Sequence, residues 1–129
     1  MENSDIASAW IQNCRDAIRF GSDSSQADST FWAFQALDQL CSSEPDEALD
    51  IVLLILHSQP EERVLYNLAA GPLEDLLTRN GLQTIGRIEQ IASVDPAFLH
   101  LIGGVWPDRA PLEIQQRLQP LIARANATH

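Results

Sequence analysis

Apolar residues recur along the chain at helical spacing, with Gly, Pro and Ser marking the breaks, and no segment alternates as a half-buried strand would. Residues 5–20 bring Ile6, Trp10, Cys14, Ala17 and Ile18 to one face, with Ser4 as the expected N-cap. Beyond the loose stretch Gly21–Gln26, a second helix over about 29–42 carries Phe31, Trp32, Phe34, Leu37, Leu40 and Cys41. Ser43-Glu44-Pro45-Asp46-Glu47 reads as the start of a third: a hydroxyl cap, an early Pro and acids in the first turn. That helix runs to about residue 58 through Ile51-Val52-Leu53-Leu54-Ile55-Leu56 and is apolar on most of its circumference, so it should be central. Pro60-Glu61-Glu62 opens a fourth, with Val64, Leu65 and Leu68 inward.

Gly71 is expected to end the fourth helix, Pro72 to begin a fifth, and Asn80-Gly81 to cap that one. A sixth helix, about 82–94, offers Ile85, Ile88, Ile91 and Ala92, and Asp95-Pro96 starts a seventh that ends at Gly103-Gly104. Val105-Trp106-Pro107 is a turn, and the last helix, about 111–125, should be bent or ended by Pro120, leaving residues 126–129 frayed. About eight short helices predict an all-α fold in a single domain over 1–129. Its arrangement is either an orthogonal bundle or a short stack of helical hairpins of HEAT-like kind, and no internal repeat decides between them.

The 129 residues are 45% apolar, enough for one core, and the six-residue apolar run falls far short of the roughly 20 residues a membrane span needs. The acidic start Met1-Glu2-Asn3-Ser4-Asp5 lacks the form of a signal peptide, so a cytoplasmic protein is expected. On antiparallel first and second helices Cys41 would sit about 9 Å along the axis from the position facing Cys14, too far for a disulfide. Both cysteines read as small buried hydrophobes.

Charge changes the picture more. Residues 1–62 hold 12 acids and 2 bases, whereas residues 63–129 hold 6 of each, so the net charge of −10 belongs to the first half. From Phe20 to Glu62 there are nine acids and no base, and every base in the chain is Arg. Without clustered Lys and Arg there is no phosphate-binding surface of the usual kind, and direct nucleic-acid binding is excluded from the reading. The field of such a half favours a basic partner, although a solvated acidic surface gives the same count.

One run combines these signals: Ala69-Ala70-Gly71-Pro72-Leu73-Glu74-Asp75-Leu76-Leu77, continuing to Asn80-Gly81. Gly71 and Pro72 have structural reasons as a helix stop and start, and Glu74 and Asp75 would suit a helix dipole at a first turn. With Ile85, Ile88-Glu89, Ala92, Asp95-Pro96, Phe98 and Gly104-Val105-Trp106, it resembles an uncharacterised family of small bacterial all-helical proteins, over about Pro45 to Leu118. Members of that family often carry an aromatic residue early in the third helix, where this chain has Leu49. The resemblance implies an all-α fold and a role for Gly71, Pro72, Glu74 and Trp106; it carries no activity.

The chemistry is sparse. His57, His100 and His129 lack metal-ligand spacing, and there is no nucleophile elbow, P-loop or dinucleotide fingerprint, so no metal, cofactor or catalytic residue is assigned. Trp10 and Trp32 are expected in the core, and Trp106 is either packed or an interface anchor. The leading expectation is a non-enzymatic acidic module that docks a basic protein, for example an immunity-type inhibitor of a basic toxin or nuclease. Asp38, Glu44, Asp46, Glu47 and Asp50 would steer association and Trp106 would anchor it. The alternatives are a homodimeric scaffold or adaptor subunit, and a small enzyme or ligand-binding domain built on Glu74, Asp75 and His100.

Overall fold

The computed structural model describes residues 2–127. They form α1 (Asn3–Phe20), the single turn α2 (Ser25–Asp28), α3 (Phe31–Ser43), α4 (Pro45–His57), α5 (Glu62–Leu68), α6 (Glu74–Val94), α7 (Pro96–Ile102) and α8 (Leu112–Ala127), with no strand among the described residues. The protein is all-α. Helices α1 and α6 organise it: α1 packs against α2 to α5, and α6 against α3, α4, α7 and α8. Contacts that skip along the sequence in this way make a bundle; in a stack of hairpins each unit would meet only its neighbours.

The expected central helix is central. Ala48, Leu49, Ile51, Val52 and Ile55 of α4 are fully buried and join Leu37, Leu68, Leu76, Ile88 and Phe98 in one contiguous core. Asp95 caps α7 as expected, its Oδ1 accepting the Ala97 and Phe98 N–H groups at 3.0 and 3.3 Å. Its Oδ2 lies 2.8 Å from His57 Nε2, tying the end of α4 to the start of α7 and holding the Asp95 carboxyl below its usual range. Beyond His57, on the way to α5, Gln59 takes a left-handed φ of 56° to leave α4.

Several local expectations fail for identifiable reasons. Ser4 lies inside α1, which begins earlier, at the N-cap Glu2. Ser43 does not cap α4; its hydroxyl bonds back to the Gln39 carbonyl at 3.0 Å. Trp10 is buried, but Trp32 is 38% exposed, because the buried stripe of α3 is Ala33, Leu37 and Cys41 and the aromatic residues lie off it. Helix α8 passes through Pro120 without ending and takes in Asn126 and Ala127 of the tail expected to fray; Thr128 and His129 lie outside the described residues. The two cysteines are buried and free, and burial pushes the Cys14 and Cys41 thiols up to about 11 and about 12.

The largest correction concerns Gly71-Pro72. No break occurs there: Ala69–Leu73 is a π-helical turn that joins α5 directly to α6. The wider turn accommodates a residue without an N–H, which would disrupt a regular α-helix. The thiol of Cys41 donates to the Pro72 carbonyl at 3.5 Å. Nor does Asn80-Gly81 end a helix. Asn80 leaves helical geometry (φ −140°, ψ 34°) and α6 continues past the kink. The Asn80 amide donates to the Cys41 and Ser42 carbonyls at 2.7 and 3.1 Å, satisfying the end of α3.

Gly71 has neither a left-handed φ nor a close neighbour: a Cβ there would meet nothing within 4 Å. Helical glycine costs about 0.5–1 kcal/mol relative to Ala. Gly71→Ala is therefore expected to keep the fold and raise the thermal midpoint, measured by circular dichroism, by a few degrees.

Candidate functional site

Of the five acids expected to steer a partner, three are held by the protein's own arginines. Asp38 Oδ1 accepts from Arg79 Nη2 at 2.9 Å, and Arg79 Nη1 reaches the Asp38 carbonyl at 2.9 Å. Two turns further along α6, Arg87 bonds the Asp50 carboxylate and lies 3.7 Å from Asp46 Oδ1. Such exposed pairs add little stability, but they cancel charge where it was expected to act. Glu44 and Glu47 are exposed and form no ion pair among the described residues.

The motif's two carboxylates do different things. Glu74 is only 8% exposed, and its Oε2 accepts the Trp106 backbone N–H at 3.2 Å. The Ala-Gly-Pro-Leu-Glu run and the Gly-Gly-Val-Trp turn, 32 residues apart, therefore meet at one bond. Burial raises the Glu74 pKa, opposed by the Trp106 N–H and by Arg109. Asp75 sits 3.7 Å from Arg79 and 4.0 Å from Arg109; burial raises its pKa and Arg79 lowers it. Since α5 runs into α6 through the π turn, neither carboxylate stands at a free helix end. The Trp106 side chain projects, 68% exposed, from a backbone fixed underneath.

A surface that the sequence reading missed is built on the same motif. Trp10, Cys14 and Ile18 of α1, Phe34 of α3, Asn67 of α5 and Gly71 of the π turn line a groove of about 420 Å³. Ala70, Gly71 and Pro72 form one wall, so the open space beside Gly71 is groove. Phe34 stacks on Phe31, centroids 5.4 Å apart and planes 13° apart. Phe31, Phe34 and Ile18 are each about two-fifths exposed and extend the groove into an apolar face. The signal in the sequence was Phe31-Trp32-Phe34, more aromatic residues than one helical stripe can bury.

A second cavity, about 460 Å³, opens between α5 and α7. His100 lies there, with its Nε2 3.9 Å from Glu62 Oε1. Glu74 and Asp75 line neither cavity, so the three residues of the expected acid–base site do not converge. Among the described residues no three of His, Cys, Asp and Glu are grouped to hold a metal ion, and no helix is long and apolar enough to cross a membrane.

The fold and these surfaces define an all-α bundle protein with an apolar groove built on a π-helical motif. The chain belongs to the family of unknown function DUF6869, whose model matches residues 21–126, a wider span than the motif resemblance indicated. No curated protein and no solved structure matches it.

Proposed function

We propose that the protein is a non-enzymatic, cytoplasmic protein-binding module that receives a basic partner on the face formed by Ile18, Phe31 and Phe34 and the adjoining groove. The observation that carries this reading is the exposed stacked pair Phe31–Phe34 beside an open groove. Solvent-exposed apolar patches of this kind are characteristic of interaction sites, and aromatic residues dominate binding energy there. Asp16, Asp23 and Asp28 lie along the chain around this face, opposed by Arg19 and by Arg15, which Glu61 holds, and Glu44 and Glu47 add unpaired charge to the same half. The matching partner has an apolar side chain to insert and Lys or Arg around it; a basic toxin neutralised by an immunity-type inhibitor is the specific case. The exposed Trp106 does not line this groove.

Affinity purification from the native host at low and at physiological salt, followed by mass spectrometry and calorimetry, tests the proposal. Phe34→Ala should weaken a recovered basic partner by about 30-fold. Gly71→Leu, which fills the groove with a good helix former, should abolish binding while, like Gly71→Ala, not lowering the thermal midpoint. Reversal of Asp16, Asp23 and Asp28 to Lys should slow association and flatten its salt dependence. A partner indifferent to all three changes would sink this reading. Recovery of the protein alone, with light scattering showing a dimer disrupted by Phe34→Ala, would assign the face to self-association.

A further inference from the structure

The cavity between α5 and α7 belongs to none of the surfaces assigned above. Its floor is apolar: Leu65 of α5, Ala69 of the π turn and Leu101 of α7. Its back wall is tightly packed, for a Cβ on Gly104 would come within 3.3 Å of the Ala69 Cβ, and one on Gly103 within 3.0 Å of the Ala125 Cβ. In front of that wall about 460 Å³ stays open, within the usual range for small-molecule sites. The rim is polar. Glu62 and His100 approach each other across the rim, and the exposed Tyr66 also lines the cavity.

We infer that this cavity binds a small organic cation, an amine carried on an apolar body, with the body on the Leu65–Ala69–Leu101 floor and the ammonium group between the Glu62 carboxylate and the Tyr66 ring. Among the described residues, Glu62 is the one lining residue with a permanent charge, and that charge is negative. The ammonium takes the place His100 holds beside Glu62, and Tyr66 offers it a ring face. A carboxylate of the same shape meets Glu62 and the field of a chain of net charge −10, and is excluded. A neutral alcohol keeps the floor contacts but leaves the carboxylate unanswered.

The test uses three probes with one apolar body: 2-phenylethylamine, 2-phenylethanol and 3-phenylpropanoate. Each is titrated into the isotope-labelled full chain and followed by amide shifts. The amine should shift the Ala69, Ala97 and Leu101 amides saturably and bind at least tenfold tighter than the alcohol, with the carboxylate weakest. Glu62→Gln should bring amine and alcohol to equal affinity, and Ala97→Leu, which occupies the mouth from a helix surface, should remove both. Absence of localised shifts, equal binding of the three probes, or a preference for the amine that survives Glu62→Gln would each overturn the inference. None of these results depends on the groove at Phe34.

Discussion

Replacing Gly81 by alanine is expected to lower the free energy of unfolding by about 1–3 kcal/mol, the range for overpacking a well-filled core. The added Cβ would lie 2.9 Å from Ile114 Cγ1 and 3.3 Å from both Cδ1 and Cγ2. Ile114 is fully buried and branched at Cβ, so no single rotation withdraws all three carbons, and the backbones of α6 and α8 must part instead. Gly86, on the same helix, supplies the control: a Cβ there meets nothing within 4 Å. Gly86→Ala should therefore stabilise by a few tenths to 1 kcal/mol. Urea unfolding of the two variants, compared at equal slope, checks the pair; equal midpoints would show that the α6–α8 contact does not depend on glycine.

Glu74 should separate two roles of one side chain. Glu74→Ala removes the acceptor of the Trp106 N–H and leaves a gap among buried atoms, at a cost of about 1–3 kcal/mol. Glu74→Gln keeps an oxygen for that bond and removes the buried charge. Because burial raises the folded-state pKa of Glu74 above its ordinary value of about 4.5, the folded protein binds more protons than the unfolded chain across that interval. Stability therefore falls as pH rises from about 4.5 through the raised value and is level above it. Glu74→Gln should be at least as stable as the parent at pH 7 and should lose part of that decline; Asp75, raised in the same direction, retains the rest. Thermal midpoints of the three proteins between pH 4 and pH 8 decide it. A Gln variant as weak as the Ala variant would mean that the carboxylate's charge itself holds the turn.

Periodicity made the helices legible, because α4 and α7 carry apolar residues and start signals that local rules decode. The segment Ala69–Leu73 was misread because Gly followed by Pro is usual punctuation, and local rules favour the commoner stop and start over a π turn. The buried positions Leu68, Ala69, Pro72, Leu73, Leu76 and Leu77 keep ordinary α-helical spacing, so periodicity gave no sign of the wider turn. The fate of Asp38 and Asp50 was not legible, since their arginines lie 41 and 37 residues away and meet them only when α6 packs on α3 and α4. The groove draws its walls from α1, α3, α5 and the π turn, and no window of sequence contains all of them.

The π turn also settles how the charge is carried. The division between the half with net charge −10 and the balanced half, at residues 62 and 63, falls in the first turn of α5. That helix continues without a loop into α6, which lies against α3 and α4 of the acidic half. No hinge separates the two regions, and Arg79 and Arg87 on α6 set positive charge against Asp38, Asp46 and Asp50, so the sequence's asymmetry is partly neutralised where the two regions meet and the rest is fixed in one rigid body. Any charged surface approaching from several ångströms away meets this distribution as one body, and any torque it exerts turns the whole fold rather than one part of it.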